Sequence, residues 1–496
     1  MTPEECGIRD DAGMPEGIGI ELDSDTKQVA DDVLFGGSPA RLMRFNQSGA
    51  GALTELRSEP VRSSAAALLA RRLTDAGMAP PRPPPAPAQL DVTVVVPVRD
   101  RALQLARCLA ALGGEHPVIV VDDGSHDPGA TEAVCAAYGA RLLCHQVNRG
   151  PGPARNTALR LVHTEFVAFI DSDCVPPANW VSSLAAHFAD PLVAAVAPRV
   201  MACEEPAITA VSRYALARSP LDLGDRPARV FPMTRVSYVP TAALVVRRTA
   251  VADGFDEQLR FGEDVDLIWR LIEQGWRVRY EPAVQVRHIE PTTWRALLRR
   301  RYQYGTSAAP LTRRHPGTVA PLVLQPWPTL TVAALLARRP LLAGATFGTG
   351  TALLIRRLRS ADVPARGVLR PMAEGVRQTW LGIGRWSSQF AVLPLVAAVI
   401  CPGGAARRSR WGRRMAVVSL LVGPPVTEWV RRKPALDAVR FGLAFVADDA
   451  AYGTGVWAGC LRERCWMAVL PTISWNVLKP RTPRSSATPH HRRKHS

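Results

Sequence analysis

Two aspartates separated by one residue directly follow an apolar run that is typical of a buried strand. The run is Phe166–Ile170, and Asp171 and Asp173 come after it, so one turn at the strand end supplies two carboxylates. Carboxylate oxygens are the ligands that Mg²⁺ and Mn²⁺ prefer, and such a cation can neutralise a departing diphosphate. A capped turn gives the same short pattern, so the metal interpretation needs support from the rest of the chain.

Polar residues also follow two neighbouring predicted strands. The strand that begins at residue 118 ends in Asp122 and Asp123, and the glycine after them lets a ligand approach the backbone closely. The strand before it ends in Pro97 and Arg99. Because the carboxyl ends of parallel strands meet at one edge of a sheet, these side chains are expected to lie together. An acidic turn there can accept hydrogen bonds from a base and a ribose.

Two helix starts complete the set of candidate residues. A glycine- and proline-rich loop over residues 148–156 opens a helix and contains Arg155. Backbone N–H groups at such a start can bind phosphate oxygens. Further on, Glu263 and Asp264 begin an amphipathic helix, where acidic residues also stabilise a helix dipole. Beside the strand-end motifs, we interpret Asp264 as a general base for an acceptor hydroxyl, with Glu263 as its catalytic neighbour.

Short β-branched runs alternate with amphipathic helical patterns from Leu90 onwards. Strands and helices at this spacing form an α/β fold with a doubly wound, mostly parallel sheet, and ligands bind at the carboxyl ends of its strands. The predicted strands are 92–96, 118–121, 141–143, Phe166–Ile170, 193–197 and 243–246.

Composition shifts divide the chain into five parts. Residues 1–78 form a small α+β module, and residues 79–89 are a proline-rich linker. The catalytic domain is expected over 90–310, followed by an α-helical, apolar region over 311–478 and a basic, disordered tail over 479–496.

Charge and apolar patterning favour a membrane surface over nucleic acid. The net charge of +17 is concentrated after Arg260, and no motif of a nucleic-acid-binding domain is present. Residues 315–337 and 386–406 lack charged side chains and are long enough to cross a bilayer, although prolines interrupt both. The nine cysteines form no C-x-x-C pair, and the acidic start does not resemble a secretion signal. The cytoplasmic face of the cell membrane is the expected location.

The motifs together resemble a family 2 glycosyltransferase over about 200 residues. They include "VTVVVPVRDR", "VIVVDDGSHD", "NRGPGPARNTAL", "FVAFIDSDC" and "GFDEQLRFGEDVDLIWRLIEQG". The resemblance implies a GT-A-type fold, inversion at the transferred sugar, and an Mg²⁺ or Mn²⁺ cofactor. It also implies residue roles: donor binding by Pro97, Arg99, Asp122, Asp123, Arg155 and Asp171; metal binding by Asp171, Asp173 and His288; catalysis by Asp264, with Glu263 beside it. His288 closes a strand, so a structural role for it stays open.

A closer resemblance covers nearly the whole chain. The segments "VLFGGSPARLMRFNQSGAGAL" and "VQVRHIEPTTWRALLRRRYQYGTSAAPL" are similar to the glycosyltransferases of the mycofactocin system of actinobacteria. This likeness implies that UDP-glucose is the donor and that a peptide-derived redox cofactor is the acceptor, which is built into a β-linked oligoglucoside. The first module then resembles a peptide-recognition module, or is a plain scaffold. A polyprenyl-phosphate or cell-wall glycan acceptor is the alternative.

Overall fold

A small α+β module begins the chain. The computed structural model describes residues 2, 4–6, 12–203, 209–358, 366–400 and 407–474. The predicted tail therefore lies outside the described residues. The module contains β1 (Gly19–Ile20), β2 (Lys27–Ala30), β3 (Val33–Gly36), β4 (Arg41–Arg44), α1 (Gln47–Ser58), α2 (Ser64–Asp75) and β5 (Pro81–Arg82).

The module packs as a unit against the large sheet domain. Strands β2, β3 and β4 pair antiparallel, and β5 pairs with β1, so the first prolines of the proline-rich segment fold with the module. Asn46 and Ser63 directly precede helices α1 and α2, and their side chains accept backbone hydrogen bonds as helix N-caps. Buried Arg71 donates to both carboxylate oxygens of Asp190, at 2.6 and 2.8 Å, across the contact with the sheet domain. A paired, hydrogen-bonded charge of this kind fixes the module's orientation.

Nine strands of the described chain form one large sheet, and its main path runs β10–β14–β11–β13–β9–β6–β7–β8, with β12 paired to β14. Its principal strands are parallel except β13, which runs antiparallel to both neighbours. The predicted α/β, mostly parallel sheet is therefore confirmed. The strands are β6 (Val92–Val98), β7 (Val118–Asp122), β8 (Arg141–Cys144), β9 (Phe166–Ile170), β10 (Cys174–Val175), β11 (Val193–Ala202), β12 (Ala228–Val230), β13 (Ala243–Arg247) and β14 (Arg277–His288).

Helices cover both faces of this sheet, which explains the unbroken apolar runs of its strands. Every residue of β9 is buried, and two separate apolar clusters fill the spaces on the two sides. The helices of this domain are α3 (Ala102–Leu112), α4 (Pro128–Tyr138), α5 (Pro151–Leu159), α6 (Trp180–Ala185), α7 (Ala210–Arg218) and α8 (Glu263–Glu273).

The remaining described chain is mostly helical and packs against the edge of the sheet domain. Helix α16 crosses α9 so closely that a Cβ atom on Gly455 would overlap the Tyr302 carbonyl group. The elements are α9 (Trp294–Thr306), α10 (Ala308–Arg314), β15 (Val323–Leu324), α11 (Pro326–Leu336), α12 (Pro340–Leu358), α13 (Arg366–Phe390), α14 (Val392–Ile400), α15 (Arg407–Arg432), α16 (Ala438–Glu463) and β16 (Thr472–Ile473).

The apolar stretches of this region are broken into short or bent helices. Among the described residues, no single helix has both the length and the apolar composition that a bilayer crossing needs. One pair meets both requirements jointly, Val368–Phe390 with Val392–Ile400, and it bends by 94° between its members. The stretch predicted over 315–337 contains only the eleven-residue α11 as a regular apolar helix.

Candidate active site

Arg155 joins the two acidic motifs that the sequence analysis identified. It lies on α5, is 2% exposed, and donates from Nη2 to Asp171 Oδ1 at 2.7 Å and from Nη1 to Glu263 Oε1 at 3.0 Å. Its guanidinium group lies over the Phe255 ring, 5.4 Å from the centroid. Burial lowers the pKa of Arg155, but the carboxylates of Asp171 and Glu263 outweigh this and raise it. One fixed cation therefore holds the end of β9 against the start of α8.

Glu263 and Asp264 occupy the first turn of α8 because the chain turns sharply just before it. Gly262 has a φ of 80°, and a Cβ atom there would lie 2.8 Å from Ser307. Burial and the neighbouring Asp264 charge raise the pKa of Glu263 to about 7. Burial also raises the pKa of Asp264, with help from the charge of Asp171 and against that of Arg155. Asp264 Oδ1 accepts a hydrogen bond from the Val265 N–H group at 2.8 Å.

Asp122 and Asp123 behave differently at the end of β7. Asp123 accepts from the N–H groups of Arg149 and Gly150, at 2.9 and 2.7 Å, and contacts His145 at 2.8 Å, so it anchors the loop before α5. Buried Asp122 accepts from the Ser125 N–H group through Oδ1, whereas its Oδ2 has no hydrogen-bond partner in the described chain. A buried acceptor without a partner is costly, so Asp122 is the residue of the pair with capacity for a ligand.

The loop after β6 is tied to the loop after β7. Asp100 has a φ of 55°, and its carboxylate accepts from the backbone N–H and contacts the ring of His126 at 2.7 and 2.9 Å. Arg99 is half exposed, and its Nε lies 3.6 Å from Asp100. Pro97 lies near the end of β6 and is partly buried. The two loops therefore form one polar wall at the carboxyl ends of the strands, as predicted.

Asp173 points away from Arg155, into a second cluster. Arg101 forms a short ion pair with Asp173 Oδ2, and His288 Nε2 lies 3.5 Å from the same oxygen. Burial would raise the pKa of Asp173, but the positive charges of His288 and Arg101 hold it well below its usual range. Burial likewise opposes protonation of His288, yet Asp173 and Glu290 raise its pKa to about 9. The His288 Nδ1 atom lies 3.4 Å from Glu290.

Comparison with known proteins shows the family to which the chain belongs. Residues 93–250 match the sequence profile of Glycosyl transferase family 2. The pre-mycofactocin glycosyltransferases of two strains of Mycobacterium tuberculosis are each 41% identical to this chain over 480 residues, which is 93% of this chain and 98% of theirs. The chain belongs to the pre-mycofactocin glycosyltransferase family. The family resemblance and the enzyme class that the motifs implied are thereby confirmed.

Among solved structures, a mannosyltransferase from Pyrobaculum calidifontis, in complex with GDP-Man and Mn²⁺, is similar at 21% identity. The match covers 59% of this chain and 89% of that chain, with a TM-score of 0.37.

In this glycosyltransferase, the residues predicted for metal binding and catalysis gather into two groups rather than one. Arg155 brings Asp171 together with Glu263 and thus with its neighbour Asp264, whereas Asp173 and His288 share the second cluster. The two groups meet at the D-x-D turn. No three His, Cys, Asp or Glu side chains of the described residues are arranged as a complete metal site. The three predicted metal ligands are therefore not assembled around one point.

The carboxylates present nevertheless fit a cation that is shared with a substrate. Asp171 Oδ2 and Asp173 Oδ1 make no hydrogen bond within the described chain. Arg155 and Arg101 contact the other oxygen of each group. Mg²⁺ is commonly held by one or two carboxylates while phosphate oxygens and water complete its shell. Two oxygen donors beside one turn meet that requirement, and a third protein ligand is not needed.

Sequence reasoning missed three residues of the second cluster, namely Arg101, Glu290 and Arg300. Glu290 could have been found, because residues two apart on an extended chain share a face and His288 was already a candidate. Arg300 lies 3.7 Å from Glu290 and comes from α9, so only the tertiary fold reveals it. Arg101 follows the β6 loop directly, and its link to Asp173 spans 72 residues.

Proposed function

We propose that this enzyme transfers glucose from UDP-glucose to pre-mycofactocin, a peptide-derived redox cofactor precursor, with inversion at the anomeric carbon. Repeated transfer builds a β-linked oligoglucoside. The acceptor is supported by the 41% identity to two pre-mycofactocin glycosyltransferases over nearly their full length. The donor and the linkage are those that the resemblance of the sequence motifs implies.

One observation carries the chemistry: the Asp171–Arg155–Glu263 bridge, which connects the D-x-D turn to the start of α8. Through it, the predicted base Asp264 lies beside the carboxylates that would face the diphosphate. A general base needs a pKa near the working pH and a place within reach of the proton it removes. The pKa of Asp264 is raised, and its charge also interacts with that of Asp171, which supports both conditions.

The chain's own residues then divide the work of a single displacement. Asp264 accepts the proton of the acceptor hydroxyl as that oxygen attacks the anomeric carbon from the side opposite the nucleotide. The bond between this carbon and the diphosphate oxygen breaks, and UDP leaves. Asp122 accepts a hydrogen bond from the nucleobase of the donor through its unpartnered oxygen. Asp171 and Asp173 would hold Mg²⁺ or Mn²⁺, which supplies positive charge to the diphosphate when bound. Arg155 holds Asp171 and Glu263 in fixed positions relative to each other during the reaction.

The direct test is a transfer assay with the purified full chain. We expect mass spectrometry to show successive hexose additions to pre-mycofactocin with UDP-glucose, and NMR to show β-linkages. EDTA should stop transfer, and added Mn²⁺ or Mg²⁺ should restore it. Transfer to a polyprenyl phosphate but not to pre-mycofactocin would support the alternative acceptor, and an α-linked product would contradict inversion.

We also propose that the enzyme works at the cytoplasmic face of the cell membrane through its C-terminal helices. Helix α15 exposes an apolar stripe at helical spacing, and arginines flank it at both ends. Exposed apolar surface beside basic residues suits the headgroup region of an anionic bilayer. The stripe, named here the α15 stripe, consists of Trp411, Met415, Val418, Val422, Val426 and Val430.

Vesicle flotation tests this location. The wild-type chain should float with phosphatidylglycerol vesicles, and Val418→Asp with Val422→Asp should reduce the floated fraction because charge then faces the lipid. Leu68→Asp places one such charge on an exposed position of α2 in the N-terminal module and serves as the control. Equal flotation of all three proteins would contradict the proposal.

A further inference from the structure

A small cavity of about 20 Å³ lies between the N-terminal module and the sheet domain. The module contributes the end of α2 and the segment that follows it, and the sheet domain contributes residues of β12 and β14. Arg279 of β14 lines the cavity together with Arg229, its cross-strand partner on β12. Paired residues of neighbouring strands share one face of a sheet, so both arginines lie on the face that the module covers.

Arg279 is a buried cation whose donors lack a protein acceptor. The residue is 2% exposed, and its Nε, Nη1 and Nη2 atoms donate to no residue that the structure describes. Its neighbours do find acceptors: Arg229 donates to the Asp75 carbonyl oxygen at 2.5 Å, and Arg277 donates to Asp75 Oδ2 at 3.0 Å. Buried donors without a partner are costly, above all on a charged group. Arg279 therefore needs an acceptor that the surrounding side chains do not supply.

The charges around the cavity do not cancel. Asp23 lies in the wall, but its carboxylate is already engaged, 3.1 Å from Arg235 and 3.9 Å from Arg226. Arg71 and Asp190, which also act on Arg279, form a pair with each other. The remaining charged groups at this contact are five arginines of the sheet domain and three aspartates of the module, namely Arg226, Arg229, Arg235, Arg277, Arg279, Asp23, Asp25 and Asp75. Two positive charges are therefore left over.

This excess charge persists at neutral pH. Burial lowers the pKa of Arg279 to about 10, with Arg71 and Arg229 acting in the same direction and Asp75 and Asp190 against them. The guanidinium group therefore stays protonated in the folded chain under ordinary conditions. A buried positive charge is tolerated when a negative charge with hydrogen-bond acceptors lies beside it.

The size of the cavity selects the kind of anion. A cavity of roughly 10 to 15 Å³ holds one water molecule, so about 20 Å³ admits one small particle and excludes a phosphate or an organic acid. Chloride meets both requirements, because it is a single atom and accepts several N–H hydrogen bonds. A water molecule would fit by size, but it would leave the positive charge unbalanced.

We propose that this cavity is a chloride-binding site, in which Arg279 donates to the ion and the ion joins the N-terminal module to the sheet domain. The site extends the set of contacts between arginines and aspartates that already holds the two parts together. It is independent of the proposed function, since it involves neither the sugar donor nor the acceptor.

Crystals of the full chain grown in sodium bromide test the site directly. Bromide replaces chloride and scatters anomalously, so an anomalous difference peak is expected within hydrogen-bond distance of the Arg279 guanidinium group. Density for a water molecule without an anomalous signal would overturn the proposal.

The dependence of stability on chloride is the test in solution. Sodium gluconate should replace sodium chloride at constant ionic strength, because gluconate is too large for the cavity. If the ion binds only the folded chain, each ten-fold rise in chloride above its Kd should raise the folding equilibrium constant about ten-fold. Urea unfolding followed by tryptophan fluorescence measures this change, and equal midpoints in chloride and gluconate would overturn the site.

Two variants assign the effect to Arg279. Arg279→Met removes the buried charge and should abolish the dependence on chloride, whereas Arg72→Met, on an exposed position of α2, should retain it in full. A dependence that persists in Arg279→Met would mean that the ion binds elsewhere. If Arg279→Met does not fold, the bromide peak and the chloride dependence of the wild-type chain decide the question.

Discussion

The molecule contains two buried arginines that look alike locally and differ in charge balance. Each lies between two carboxylates and over a phenylalanine ring. Arg155 occupies the candidate active site, and Arg218 connects the sheet domain to helix α16. Their guanidinium groups lie 5.4 and 3.8 Å from the centroids of Phe255 and Phe445. The comparison shows what separates a reactive cluster from a structural one.

At the candidate active site, carboxylates outnumber the positively charged side chains. Arg155 contacts Asp171 and Glu263, and Asp264 lies within electrostatic range, so one cation serves three carboxylates. Burial and this excess raise the pKa of Glu263 to about 7 and raise that of Asp264 as well. Glu263 can therefore gain and lose a proton near neutral pH.

Around Arg218, the positive charges of arginines balance the negative charges of carboxylates. Arg218 contacts Asp448 and donates to Asp449 Oδ1 at 2.8 Å, and Arg301 also contacts Asp448. Ser388 donates to Asp449 Oδ2 at 2.8 Å. Burial alone would raise the pKa of Asp449, but Arg218 and Arg385 bring it below its usual range. Asp449 therefore stays charged, and the cluster fixes the geometry between the sheet domain and α16.

The largest effect should come from removing the predicted base. Asp264→Asn keeps the size of the side chain but cannot accept the hydroxyl proton, so kcat for transfer should fall by about 10² to 10⁴. UDP affinity should remain near that of the wild type, since Asp264 does not contact the nucleotide in the proposed mechanism. Asp31→Asn, on an exposed aspartate of the N-terminal module, is the control and should leave kcat unchanged. Full turnover in Asp264→Asn would refute the assignment.

The structural cluster should respond in stability instead. Arg218→Met leaves Asp449 and Asp448 buried with less compensating charge, which should lower the free energy of unfolding by about 3 to 5 kcal/mol. Urea denaturation followed by tryptophan fluorescence measures this change. Arg213→Met, on the exposed face of the same helix α7, should have little effect. A loss of kcat in Arg218→Met without a loss of stability would mean that the two clusters are not distinct in role.

The sequence predicts the sheet well because its signals are local. Buried parallel strands appear as short apolar runs, and the polar residues after them mark the edge where a ligand binds. Strand β14 is missing from the list of predicted strands, because its twelve residues include a proline and alternating polar positions. Glu263 and Asp264 were identified as a helix start without any tertiary information.

The sequence does not predict which residues pair. Arg155 reaches Asp171 and Glu263 over separations of 16 and 108 residues, and Arg218 reaches Asp449 over 231. No local pattern encodes contacts at such distances. Asp448 and Asp449 lie in a helix that otherwise contains mostly apolar residues, so its sequence gives no sign of the buried ion-pair cluster.

The smallest predicted effect is a pH dependence that distinguishes the two clusters directly. The pKa of Glu263 rises from an ordinary 4.5 to about 7 in the folded chain, so between these values the folded state holds more protons than the unfolded state. Its contribution to stability is therefore complete below pH 4.5 and is lost as pH rises through about 7, by up to about 3 kcal/mol. Glu263→Gln removes this part of the slope.

In the Arg218 cluster, stability depends on pH in the opposite direction. The lowered pKa of Asp449 means that its stabilising contribution is present above its ordinary value of 3.8 and is lost only as pH falls below it. Between pH 5 and 8, Asp449→Asn should therefore lower stability by a constant amount, whereas Glu263→Gln should flatten the curve. Urea midpoints at four pH values across this range measure both, with exposed Glu132→Gln as the control. Parallel curves for wild type and Glu263→Gln would show that the excess of acid around Arg155 does not hold a proton near neutral pH.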